Sequence, residues 1–124
     1  MVELAELIGA PVITDRVRLN FPSSHPLATP STLETDYIRN AAALLVVDSD
    51  IPWIPANVRP SSDAAVMWID QDPVKDSIPL WTFPADVLIE ADSSKAIPAL
   101  TFEIKEQMTP VQSQAAEDRT VKLG

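Results

Sequence analysis

The chain has 124 residues, 46% of them hydrophobic, which is enough for one domain with an ordinary core and too apolar for a disordered segment. Its net charge of −9 argues against a nucleic-acid or anionic-membrane surface, since both need basic patches. The absence of cysteine excludes disulfides, thiolate zinc sites and a cysteine nucleophile, and fits a reducing, cytoplasmic setting.

At the amino terminus MVELAELIGAPV carries acids and lacks the basic segment of a signal peptide, and no later apolar run nears the roughly 18 residues that would span a bilayer. Val2 to Ile8 has helical spacing of apolar residues, with Gly9 placed for a left-handed C-cap. Pro11 to Thr14 reads as a short buried strand, and residues 16–30 as a loop punctuated by Pro22, Pro26 and Pro30. Ser31-x-x-Glu34 fits a capping box for a helix running to about Ala42, followed by a strand over Leu44 to Val47. Loop and proline dominate residues 48–62. Ala65 to Ile69 is a continuous apolar strand, after which Asp72 and Pro73 have the chemistry to start a short helix. Asp86 to Ala91 is a fourth strand. Asp92 or Ser93 then caps a helix with Ile97, Leu100, Ile104 and Met108 on one face, and residues 110–124 read as a polar tail or linker.

Apolar strands without alternation, separated by helices or long crossovers, indicate an α/β fold with a mainly parallel sheet covered on both faces. Ligands of such sheets sit at the carboxyl ends of the strands. Asp48, Asp70 and Asp92 all fall on that edge and are the cleft candidates; helix caps and turn initiators would look the same. Twelve prolines stand against two glycines, Gly9 and Gly124, so chemistry that needs a Gly-rich loop is excluded. The pairs Asp48/Asp50 and Asp70/Asp72 have the oxygen ligands that magnesium or calcium takes, but no EF-hand loop surrounds them. His25 is the only histidine and has no triad or metal partner in sequence, and no serine lies in a G-x-S-x-G context. Trp68 belongs to a buried strand, while Trp53 and Trp81, beside prolines, read as residues that pack loops against a neighbouring domain or subunit.

The stretches LAELIGAPVITD, HPL, LLVVDSDIPWIP and WIDQDPVKDSIPLWTFPADVLIEADSSKAIPAL, in that order, are similar to the central domain of thiamine-diphosphate enzymes of the acetolactate-synthase-like group. The resemblance covers roughly residues 3–107. It implies a Rossmann-like three-layer sandwich that holds FAD in some members and ADP or nothing in others. Neighbouring domains, amino- and carboxyl-terminal to it, carry the catalytic glutamate and the Gly-Asp-Gly motif that binds thiamine diphosphate through magnesium. On this reading residues 1–108 are the central domain without the family's first strand, and 109–124 a linker. Two departures disfavour FAD or ADP: Asp48 stands where nucleotide-binding members have glycine, and Ala91-Asp92 where they have Gly-Asp.

The resemblance therefore implies a noncatalytic central domain that docks the catalytic domains of a parent performing decarboxylation or carboligation of a 2-oxo acid, as a lyase or transferase. A sheet without its central strand has unpaired edges, so a homo-oligomer is expected. The alternatives are an FAD- or ADP-binding module using Asp48, Asp70 and Asp92, and a stand-alone interaction domain.

Overall fold

The computed structural model describes residues 1–14, 20–79 and 82–123. The chain divides into two compact units, one formed by Met1–Glu34 with Ile97–Gly124, the other by Thr35–Ala96. The fold is α/β with a parallel sheet. Among the described residues no helix is long and apolar enough to cross a membrane.

In the first unit, α1 (Val2–Ile8) ends as its sequence requires: Gly9 takes φ 59°, and the N–H groups of Gly9 and Ala10 donate to Glu6 and Ala5 carbonyls. The strand expected over Pro11 to Thr14 shrinks to an isolated parallel bridge between Val12 and Ala28. Two backbone hydrogen bonds among the described residues hold it: Val12 N–H donates to Leu27 O at 2.8 Å and Thr29 N–H to Val12 O at 2.9 Å. The loop expected over 16–30 holds where it is described, from Asn20 onward, and residues 16–19 lie outside the described residues. Ala5, Phe21 and Leu27 form a small core, flanked by Val2, Val12, Ala28 and Leu123.

The segment read as a polar tail is helical: α4 spans Pro110–Leu123. Its start is a capping box. Gln112 N–H donates to Thr109 Oγ1 at 3.3 Å, and Thr109 N–H donates to Gln112 Oε1 at 2.9 Å, with Pro110 at the first helical position. The signal, Thr109-x-x-Gln112, is present in the sequence but is masked by the polarity of residues 113–120. α4 packs on α1 through its small residues: Ala116 is buried, and a Cβ built on Gly9 would lie 2.2 Å from Ala116 O. Arg119 reaches Ile8 O at 2.7 Å.

Among the described residues the second unit is built on a three-stranded parallel sheet in the order β1 (Ala43–Val47), β2 (Ala65–Asp70), β3 (Val87–Glu90). Ala43 pairs with Ala65 and Met67 with Val87, so the three carboxyl ends fall on one edge. The central strand is the core: Val66, Trp68 and Ile69 are 1% exposed or less. Each such side chain stabilises the fold by roughly 1.5–3 kcal/mol on burial. β3, with an equally apolar sequence, is exposed along its whole length, with Leu88 at 49%. Apolar continuity alone does not distinguish a central strand from an edge strand, because both are read from the same residues.

α2 (Glu34–Asn40) starts two residues later than the Ser31 box implied, because Leu33 N–H closes a turn onto Pro30 O at 2.9 Å. α3 (Ser93–Gln107) continues through Pro98. It buries Ile97 and Thr101 fully, and Leu100, Ile104 and Met108, which follows its last residue, by half.

Candidate functional site

The strand edge that the sequence singles out is real, and each of its three acids is engaged by the chain itself. Asp48 follows β1 directly and sits at φ 48°, in the left-handed region. Aspartate is one of the few non-glycine residues that adopts this conformation at modest cost. Asp48 thus keeps the backbone turn that a glycine would make, while adding a carboxylate. Its N–H donates to Ile69 O at 3.0 Å, and its Oδ2 accepts a hydrogen bond from Ser93 Oγ.

Asp70, the last residue of β2, is 6% exposed. Its Oδ1 accepts from Asp72 N–H at 2.8 Å and its Oδ2 from Lys75 Nζ at 2.7 Å. The same ammonium lies 2.9 Å from Asp50 Oδ1, so the loops after β1 and β2 are tied together through one lysine. Lys75 is itself buried, at φ 56°. This explains why the short helix expected from Asp72-Pro73 does not form. A right-handed helix excludes positive φ at its third residue, and the ion pair holds that residue inward. Asp72 still behaves as a turn initiator, its Oδ1 accepting from Lys75 N–H at 3.3 Å. Burial is the largest single influence on the Lys75 ammonium and works against its charge. Hydrogen bonds to Asp70 and Asp50, with their negative charges, together outweigh it and hold the group above the ordinary lysine value.

Asp92 is the N-cap of α3: its Oδ1 accepts from both Ser94 N–H at 2.9 Å and Ser94 Oγ at 2.7 Å. The Ser94 hydroxyl, then its backbone N–H, lower the Asp92 carboxyl below its usual range, against a small opposing effect of burial. The sequence brought Asp48, Asp70 and Asp92 to one edge; it missed Ser93 and Lys75, their partners, because both contacts depend on loop paths. Lys75 carried a signal only in hindsight, as a basic residue five positions after an aspartate at a strand end.

The remaining singled-out residues fall elsewhere. His25 is structural: Leu27 N–H donates to its Nδ1 at 3.1 Å, which leaves the proton on Nε2, 3.0 Å from Glu6 Oε1. Phe21 packs edge-on to the imidazole at 5.1 Å. Trp68 is fully buried, as its strand implied, and its Nε1 donates to Pro84 O at 3.0 Å. Trp53, read as a contact for another domain, is 6% exposed and packs instead against Phe83 of its own unit, ring centroids 5.2 Å apart at 86°. Trp81 lies outside the described residues. Among the described residues no three His, Asp or Glu side chains gather as a metal-ligand set.

A cleft of about 370 Å³ lies at the opposite end of the sheet, around Ala64, Val66 and Asp86 at the amino ends of β2 and β3. Comparison with family models, with curated proteins and with solved structures finds no match.

Proposed function

We propose that the chain is a noncatalytic, Rossmann-like middle module of a thiamine-diphosphate enzyme resembling acetolactate synthase, acting to dock and space catalytic domains. The observation that carries this reading is the closure of the carboxyl edge by the chain's own groups. Sheets of this class take ligands there, and a nucleotide brings a diphosphate that needs N–H donors and positive charge. At this edge Asp48, Asp50, Asp70, Asp72 and Asp92 supply carboxylates, and the Lys75 ammonium is already held between Asp70 and Asp50. These residues do not fit FAD or ADP. A parent that decarboxylates or joins 2-oxo acids would draw thiamine diphosphate and magnesium from its flanking domains.

Titration of the chain with FAD, ADP and thiamine diphosphate by calorimetry tests the reading. Flat isotherms for all three are expected, and saturable micromolar binding of FAD or ADP overturns it. The reading frames on either side of the coding sequence give an independent check. Coding regions for a catalytic glutamate domain and a Gly-Asp-Gly domain support a docking role; unrelated frames argue for a separate interaction domain.

A further inference from the structure

We propose that the cleft at the amino ends of β2 and β3 binds a small organic carboxylate with a flat apolar body, its carboxylate held by Arg59. This site lies away from the carboxyl edge and does not depend on the docking role. Its volume of about 370 Å³ falls in the lower part of the range occupied by small-molecule sites.

The cleft is preformed. Pro55, Pro60 and Pro84 line it, and their fixed φ values remove much of the loop-ordering cost that binding otherwise incurs. The segment bearing Thr82, Pro84 and Asp86 is anchored to β2 twice, by Trp68 Nε1 on Pro84 O at 3.0 Å and by Val66 N–H on Asp86 Oδ2 at 2.7 Å. Trp53, braced by Phe83, completes an apolar wall.

Arg59 supplies the charge. Its Nε donates to Pro55 O at 3.1 Å, which fixes the guanidinium head at the cleft, and no carboxylate of the described residues pairs with it. Arg39 pairs with Asp36, Lys75 with Asp70 and Asp50, and Lys105 with Glu3; among the described cations without such a pair, Arg59 lines the cleft. A guanidinium with its outer N–H groups available matches a carboxylate as a two-pronged donor. The hydroxyls of Ser61, Ser62 and Thr82 line the same cleft and can donate to the second oxygen. Asp86 decides between anions. Its carboxylate also lines the cleft, so a dianionic phosphate meets repulsion that a singly charged carboxylate meets only once.

Amide and side-chain NMR of the whole chain, titrated separately with 2-naphthoate, 2-naphthamide and inorganic phosphate, tests the assignment. Naphthoate is expected to shift the Ala64 and Val66 amides, the Trp53 indole N–H and the Arg59 Nε–H saturably in the millimolar range or below. Naphthamide, which keeps the shape and loses the charge, is expected to bind about tenfold more weakly, and phosphate more weakly than naphthoate. Arg59→Met should bring naphthoate to the level of the amide, while Arg59→Lys recovers part of the loss. Absence of saturable shifts with naphthoate, equal binding of the amide, or tighter binding of phosphate overturns the proposal. The ligand comparisons need no variant, so they decide even where a substitution disturbs the fold.

Discussion

Ser93 Oγ donates a hydrogen bond to Asp48 Oδ2, joining the first residue of α3 to the residue that follows β1. The two positions are 45 residues apart, and β2 runs between the strands that deliver them. The contact ties down the sheet edge where an α/β protein ordinarily receives its ligand. It also places a carboxylate on a backbone position, φ 48°, that glycine adopts without cost.

Position 48 therefore separates backbone strain from side-chain bonding. Asp48→Asn keeps a residue that tolerates the left-handed region and can still accept from Ser93, and should leave stability nearly unchanged. Asp48→Val places a β-branched residue there and should cost about 2–3 kcal/mol in urea unfolding, strain and lost hydrogen bond together. Asp48→Gly should fall between them. Equal stability of the Val and Gly variants would show that the left-handed turn is not formed in solution.

Lys75 is the second critical residue of this edge. Lys75→Met leaves the buried Asp70 carboxylate without its cation and should cost about 3 kcal/mol. Adding Asp70→Asn to that variant should recover part of the loss, because the uncompensated charge is then removed. Additive effects of the two substitutions would rule out the pair.

The pH dependence is set by the direction of each shift. Lys75 titrates higher folded than unfolded, so its contribution is complete below the ordinary lysine value of about 10.4 and is lost as pH rises through the higher folded value. Asp92 titrates lower folded than unfolded. Its contribution is present above about 3.9 and is lost as pH falls through the lower folded value. Thermal midpoints measured against pH should therefore drop at both extremes, with Lys75→Met flattening the alkaline limb. An alkaline limb unchanged in that variant would assign the loss to other groups.

Gly9 carries two independent constraints, a φ of 59° and the close approach of Ala116 O. Gly9→Ala should destabilise the α1–α4 pair by more than the roughly 1 kcal/mol of the left-handed penalty alone. Hydrogen exchange of the α4 amides reports it directly. Thr109→Ala removes the capping box and should cost about 1 kcal/mol, seen as faster exchange in the first turn of α4. Unaltered protection there would mean that Pro110 and packing suffice to start the helix.

Among the described residues both outer strands of the sheet have an edge without a ladder, and β3 exposes Val87, Leu88 and Ile89. Such edges favour association, so sedimentation at rising concentration should show self-association, weakened by Leu88→Lys. A monomer throughout the concentration range would remove the oligomer from the proposed role.

Much of the architecture is legible in the residues alone, because it rests on local chemistry. Apolar runs over 44–47, 65–69 and 87–89 become β1, β2 and β3, and Gly9 becomes a left-handed cap because no other residue there would enter that region as easily. The α/β class and the alignment of Asp48, Asp70 and Asp92 on one edge come from parallel strands that end in acids.

Tertiary structure decided what those acids do. Ser93 reaches Asp48 and Lys75 reaches Asp70 and Asp50 only because the parallel register sets strand ends side by side and the loops fold back over them. It also decided that VLI of β3 is exposed while Val66, Trp68 and Ile69 of β2 are buried, a difference of place in the sheet rather than of composition. A helix at Pro73 is locally reasonable and is overridden by one buried ammonium. Local propensity is worth tenths of a kcal/mol per residue, and a buried charge left unpaired costs several.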